Sequence, residues 1–568
     1  MAKDLPPSCE NAHEDAETFE SLLCVLEVSD SASRRTSFGI AWLVLHLVKK
    51  AKARVHLEAF SIPEIEEGVS HSKIFLLLES LPASVEDFTL GAHAVSGPAL
   101  PRLCRFLTRS SSEGTQGGER NFDCPRLKAL TFSAGSLHTK EACAVFPILS
   151  QSLETLNLKG NKLGTEAVSA LAEAVRTGRL SGLRTLSLEE TALGRDGMKV
   201  LCASFRDRAA KPLRIETLCL SHNRLWDSGF SALCLALRDG AFPFLRALRV
   251  DSCEVKQMGV IMLSELLSDG HLHSLETLDL QNNDVGTNGG VALGGSLLAS
   301  SVPQLRCLSL RGSAVSGKGV DVLVDALKSG NRPPLESVDL SLQDVGENAA
   351  RSLGEGGIAF LRTLSVELCG SAAVVFLNAV SNSEVPPAWE ALELCLVGEG
   401  VESDSKALRA FASALRVGRL GGLSGVSLND FDKASLGSGT GEALSEAFSC
   451  PCVCLPLLSS FSVQGGDILE GGNGAFVADA VGCRTFEALE ALVLIETGLG
   501  GEGMKGIFQN VLERGVKLPR LETLRVSHSP NAGQGVGVLA AAIAAGGLPR
   551  LKELDLSSCG LDNDGLCA

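Results

Sequence analysis

Gly312 to Gly319 reads GSAVSGKG, a near match to the phosphate-cradling loop in which a lysine and a following hydroxyl meet phosphate and magnesium. Gly319 stands where that hydroxyl is needed. The stretch also aligns with Asn283 to Gly290, so it reads as turn geometry. Cys450, Cys452 and Cys454 lie in SCPCVCLP. Closely spaced thiolates bind zinc, but a structural site takes four ligands, usually in CxxC-type pairs. No histidine is near them in sequence, and cysteine as a small apolar residue ahead of the next strand is the simpler assignment. His271 and His273 flank Leu272 with no carboxylate or thiol arranged around them, so a solvated junction is expected. Glu189 and Glu190 are adjacent, and neighbouring side chains on an extended chain diverge rather than converge on a substrate. Cys219 and Cys307 fall at positions expected to face outward, accessible but without an activating neighbour. The chain contains no serine or cysteine nucleophile motif and no zinc-protease helix motif. Catalytic residues, metal ligands and cofactors are therefore not assigned, and the chain is not expected to be an enzyme.

The elements that position these residues recur. Leu153 opens LETLNLKGNKLG, Leu183 LRTLSLEETALG, Ile215 IETLCLSHNRLW, Leu245 LRALRVDSCEVK, Leu275 LETLDLQNNDVG, Leu305 LRCLSLRGSAVS and Leu335 LESVDLSLQDVG. The anchors are 30 residues apart, with one step of 32. Weaker copies follow at Leu361, Trp389, Leu423, Leu458, Leu489, Leu521 and Leu551, and Val85 and Leu127 precede them. Apolar and polar residues alternate in the middle of each copy, which predicts a short strand. The ninth position turns the chain off the strand and runs Asn161, Thr191, Asn223, Cys253, Asn283, Ser313. A small polar side chain there is placed to bond backbone groups that the turn leaves unpaired. The second half of each copy has helical periodicity. Glu166 to Thr177 sets Val168, Leu171, Ala172 and Val175 on one face, and Gly178 follows as a stop.

This pattern resembles the ribonuclease-inhibitor-like leucine-rich-repeat family, in its LxxLxL strands, its helix-length second halves and its alternation of Asn with Cys or Thr. The resemblance implies an α/β solenoid, a horseshoe with parallel strands on the concave face and helices on the convex face. It covers about Val85 to Ala568 and implies roughly fifteen to seventeen copies. Relatives of that family include ribonuclease inhibitor, the sensing ends of NOD-like receptors and the Ran GTPase-activating protein. No nucleotide-binding module is read ahead of the repeats and no long acidic tail after them, so the expectation speaks against a complete NOD-like receptor and weakens the likeness to the Ran activator.

Composition agrees with a repeat array. Hydrophobic residues make up 45% and charged residues 21%, tyrosine is absent, and glycine reaches 60 residues. A core of small aliphatic side chains suits many thin layers. The formal net charge of −16 disfavours nonspecific binding to nucleic acid or an anionic membrane. Residues 1–52 read as an acidic segment followed by a capping helix. Its apolar run, Gly39 to Val48, is half the length a bilayer needs. Residues 53–568 read as the array, with a polar loop insertion at 108–121 where the step from Val85 to Leu127 stretches to 42 residues. Steps of 34 and 35 after Trp389 and Leu423 mark a second irregular stretch. The last repeat is incomplete, so the expectation is either a truncated sequence or an end covered by another surface. The eighteen cysteines have no framework spacing and no secretory signal, which predicts reduced thiols in a cytoplasmic, or alternatively nuclear, protein.

The third, fifth and seventh positions of each copy are expected to point outward from the concave face. They carry Glu189, Asp251, Asp279, Asp339, Glu367 and Glu393, interrupted by Lys159, Arg249 and Arg311. Such a face is either a solvated sheet or a docking site for a protein with a basic surface. His222 and Trp226 mark the loop edge, and Trp226 replaces the glycine found at Gly164 and Gly194. Trp226 either anchors a partner or packs against the next loop. The leading expectation is a non-catalytic protein-interaction scaffold. The alternative is a GTPase-activating regulator resembling the Ran activator, which timing phosphate release from loaded GTPases would reveal.

Overall fold

The structure, a computed structural model, describes residues 26–27, 59–62, 78, 81, 85–108, 127–207, 213–299, 302–329, 334–356, 358, 360–384, 389–431, 439–450, 453, 455–466, 468–470, 475–482 and 485–561. The insertion at 109–121 and nearly all of 1–52 lie outside the described residues. The chain divides into two compact units, residues 1–278 and 279–568.

In the first unit the strands are β1 (Leu26–Glu27), β2 (Ala59–Ile62), β3 (Asp87–Leu90), β4 (Ala129–Phe132), β5 (Thr155–Asn157), β6 (Thr185–Ser187), β7 (Thr217–Cys219) and β8 (Ala247–Arg249). From β1 to β8 each pairs in parallel with the next. The register is uniform: Leu156 faces Leu186, which faces Leu218, which faces Leu248, and all four are buried. The ladder thus includes Leu26–Glu27, inside the segment read as acidic segment and cap. Helices alternate with the strands. Thr165–Arg176 buries Val168, Leu171, Ala172 and Val175, the face its periodicity predicts. Gly178 ends it in the left-handed conformation (φ 72°) while Arg179 N–H donates to the Ala174 carbonyl at 3.0 Å, closing the last turn.

β9 (Thr277–Asp279) lies at the boundary. In the second unit β10 (Cys307–Ser309), β11 (Ser337–Leu340), β12 (Thr363–Cys369), β13 (Ala391–Val397), β14 (Leu423–Asn429), β15 (Ser460–Gln464), β16 (Ala491–Ile495), β17 (Thr523–Ser527) and β18 (Glu553–Asp555) again pair in parallel in chain order. In the irregular stretch after Trp389 the core gathers a cluster of aromatic rings. Phe448 meets Phe411, Phe461, Phe476 and Phe486 there, with ring centroids 6.1 to 6.4 Å apart. Bulky rings fill the interior of these longer repeats.

Gly312 to Gly319 has the turn-to-helix geometry of the repeat. Ser313 is buried and its hydroxyl donates to the Leu280 carbonyl at 2.9 Å. A Cβ on Gly319 would lie 2.9 Å from the Thr287 carbonyl oxygen, so glycine is there to let two helices approach. Among the described residues ten cysteines are free thiols. Cys450, by contrast, forms a disulfide, which departs from the expected reduced set; Cys452 and Cys454 lie outside the described residues.

Candidate functional site

The ninth position builds the turn that everything on the loop edge depends on. Asn161 accepts the Leu137 N–H at 2.7 Å and donates to the carbonyls of Phe132, Leu158 and Lys159, each at 3.1 Å. Asn223 does the same for Leu193 N–H (2.9 Å) and the Leu188 carbonyl (2.7 Å). The Cys253 thiol donates to the Leu220 carbonyl at 3.2 Å. In the second unit Gln343 takes the asparagine role, accepting Val315 N–H at 2.7 Å and donating to the Leu310 carbonyl at 2.6 Å. The amides of Asn161, Asn223 and Gln343 bond the preceding repeat with both their ends; Cys253 and Ser313 reach it as donors, and the Thr191 hydroxyl donates to the Leu188 carbonyl of its own repeat at 2.8 Å. All these side chains are buried, so each bond satisfies a backbone group that water cannot reach.

The eighth position is left-handed. Glu190, His222 and Ser252 in the first unit and Asn282 and Leu342 in the second have φ between 50° and 57°. This aims their side chains off the sheet at the loop edge. Within the first unit, Glu189 is held by Lys159, with Nζ 2.7 Å from its carboxylate. That hydrogen bond keeps the Lys159 ammonium above its usual pKa. Asp251 accepts from the Ser221 hydroxyl, and its second oxygen is 3.4 Å from His222 Nε2. Trp226 is 39% exposed at φ 49°. Its indole N–H donates to Glu254 at 2.5 Å, Arg195 lies 5.4 Å from the ring centroid, and Arg224 reaches the same Glu254 at 3.1 Å.

In the second unit, Asp279 and Asp339 are half-buried rather than exposed. Each carboxylate accepts a backbone N–H two residues on, from Gln281 at 3.1 Å and Ser341 at 2.9 Å. Asn157 does the same for Lys159, and Asp555 for Ser557. These acids fasten their own turns, a local bond typical of Asp and Asn. Glu393 is exposed and accepts from Ser365 at 3.0 Å. Glu367 stands in register with Cys395. Burial pushes that thiol up to about 12, and Glu367 beside it adds to the shift. Cys219, expected to be accessible, is buried. It sits in register between Ser187 and Arg249, and a small side chain sinks beneath a longer neighbour. Cys307 is half-buried. His271 and His273 are exposed. Among the described residues no three His, Cys, Asp or Glu side chains are grouped to hold a metal.

A feature missed in the sequence runs along the second position of each copy. In the first unit it reads Glu86, Lys128, Glu154, Arg184, Glu216, Arg246, Glu276, acid and base in strict alternation. Lys128 meets Glu86 at 2.5 Å, Arg184 reaches both Glu154 (3.5 Å) and Glu216 (2.7 Å), and Arg246 meets Glu276 at 3.3 Å. The second unit pairs Arg306 with Glu336, Arg362 with Glu390 (2.7 Å) and Lys552 with Glu522 (2.8 Å).

The strand-and-helix repeat, its parallel ladder and its buried turn residue coincide with a family match. The family described as Leucine Rich repeat matches residues 149–172, 271–294 and 548–568. The chain is a leucine-rich-repeat solenoid. The solenoid is 30% identical over 273 residues to mouse (Mus musculus) NACHT, LRR and PYD domains-containing protein 14, covering 46% of this chain and 26% of that protein. It thus spans about a quarter of the relative's length. The crystal structure of the leucine-rich repeat-containing protein LegL7 from Legionella pneumophila aligns with a TM-score of 0.31 and 12% identity, over 68% of this chain and 97% of that one. No helix among the described residues of the solenoid is long and apolar enough to cross a membrane.

Proposed function

We propose that this solenoid is a non-catalytic protein-interaction scaffold of the ribonuclease-inhibitor-like type, which receives a protein with a basic surface on its strand face. The observation that carries the reading is the placement of carboxylates in the second unit. Asp339, Ser365 and Glu393 are in register on β11, β12 and β13, and Glu367 lies two residues along β12. Adjacent strands are about 4.8 Å apart, so these charges and Asp279 in the same unit sum into one negative field. Such a field speeds encounter with a cationic surface and fades as salt rises. Glu189 and Asp251 are the corresponding acids of the first unit. A second reading, contact at the loop edge through His222 and Trp226, is favoured by the exposure of Trp226. The free thiols support a cytoplasmic protein, with Cys450 as the exception.

The test is the rate of association with a basic protein partner purified by affinity capture, measured over a range of ionic strength. Asp279→Asn with Asp339→Asn keeps the oxygen that accepts each turn N–H while removing both charges. The double variant should melt with the wild type, associate several-fold more slowly at low salt, and show a flatter salt dependence. Association at the wild-type rate, together with binding abolished by Trp226→Ala, would move the site to the loop edge.

A further inference from the structure

Trp226 occupies, with positive φ, a position at which Gly194 and Gly286 also have positive φ. It is the first residue of the helix Trp226–Arg238 at φ 49°, as Gly194 is the first residue of Gly194–Phe205 at φ 62°. A Cβ in that region is strained, and strain on a bulky residue persists where something outside local geometry compensates for it. Trp226 is not sunk into a core: the residue is 39% exposed. Its N–H is already given to Glu254, so the ring offers an apolar face and edge and no donor. The charges around it are asymmetric. Glu254 is occupied by the indole and by Arg224, and Asp227 accepts the backbone N–H groups of Lys256 (2.8 Å) and Gly259 (3.1 Å). The cations stay open to solvent even where they are paired. Arg224, bound to Glu254, is 78% exposed against 46% for that acid, and Arg195, 56% exposed over the ring, lies 3.7 Å from the exposed Asp196. Lys256 is exposed and forms no ion pair among the described residues.

Resting on the scaffold reading, we propose that this loop edge of the first unit is a second recognition surface, and that it takes an acidic, extended peptide segment carrying an apolar side chain. The apolar side chain lies on the open part of the Trp226 ring. A carboxylate of the segment meets the forked N–H groups of Arg195, which the indole face holds in place. Arg224 and Lys256 receive further acids. An aromatic anchor flanked by arginine is the composition that concentrates binding energy in a small contact. The preference is opposite in sign to that of the strand face.

The experiment titrates the full chain with two synthetic peptides of alternating charged and leucine residues, one with Glu and one with Lys, followed by Trp fluorescence and calorimetry. The Glu peptide should bind, Trp226→Ala should weaken it about tenfold or more, and Arg195→Gln should weaken it by a smaller factor. Trp226→Gly should lose binding to the same extent while melting no lower than wild type, because glycine relieves the left-handed strain. Binding that Trp226→Ala leaves unchanged, absence of binding, or displacement by the Lys peptide would overturn the proposal. So would a Trp226→Gly chain that melts lower, since Trp226 would then be a structural wedge. Asp279→Asn with Asp339→Asn should not affect the Glu peptide, so this surface and the strand face fail separately.

Discussion

Leu342 is 50% exposed with φ 57°, at the turn position that Gly312 fills one repeat earlier. A turn residue is chosen by more than its own backbone preference. Glu190, His222, Ser252 and Leu342 do not announce a left-handed turn, and sequence reasoning found the turn only through its neighbour, the ninth residue. In the sequence the fifth-position acids Asp279 and Asp339 carry no mark beyond their charge. Their other task, accepting a backbone N–H two residues on in a repeating turn, falls to Asn157 as well. Buried thiols give this scale its test. Burial raises Cys202 and Cys234, on neighbouring helices of the first unit, to about 12 from an ordinary value of 9. In the folded chain both stay protonated between those values, while in the unfolded chain they ionise above 9. Their contribution is therefore intact below pH 9 and is lost as pH rises towards about 12, at up to about 1.4 kcal/mol per pH unit for each thiol. Denaturant unfolding across that window should show a steeper decline for wild type than for Cys202→Ala with Cys234→Ala, even though the variant starts less stable. Parallel declines would mean that the thiols are not protected.

At the scale of the element, the short strands and the buried helix faces were legible because period-two and helical alternation survive in each copy, as in Leu156 with Leu158 and Val168 with Leu171. What a single copy does not show is the relation between copies. The second-position charges alternate only when Glu154, Arg184 and Glu216 are set side by side, and the alternation of Asn with Thr or Cys has the same two-repeat rhythm. Exposed ion pairs are individually weak, commonly below about 1 kcal/mol, but Arg184 bridges two carboxylates and its reversal would place three acids side by side in successive repeats. Arg184→Glu should lower stability by about 1–2 kcal/mol at low salt, read as the urea midpoint, and most of that loss should vanish in concentrated salt. An unchanged midpoint, or a loss that salt does not relieve, would reduce the ladder to decoration.

Within each unit, successive strands pack on one another, and so do most successive helices. Repeat arrays of this kind behave as chains of nearest-neighbour couplings, and an opened repeat weakens mainly the repeats it touches. The 30-residue spacing of the strong copies is legible in the sequence; where they couple tightly is not, because that depends on approaches such as Gly319 against Thr287 that only coordinates reveal. The coupling can be read in the first unit. Leu248 is fully buried in β8, and Leu248→Ala removes packing worth about 2–5 kcal/mol. Hydrogen exchange should then accelerate in β8, in β7 and its helix, and at Thr277 and Leu278, while the amides of β4 keep wild-type protection. If protection instead falls uniformly from β4 to β8, the first unit unfolds as one block, and the nearest-neighbour description does not hold for it.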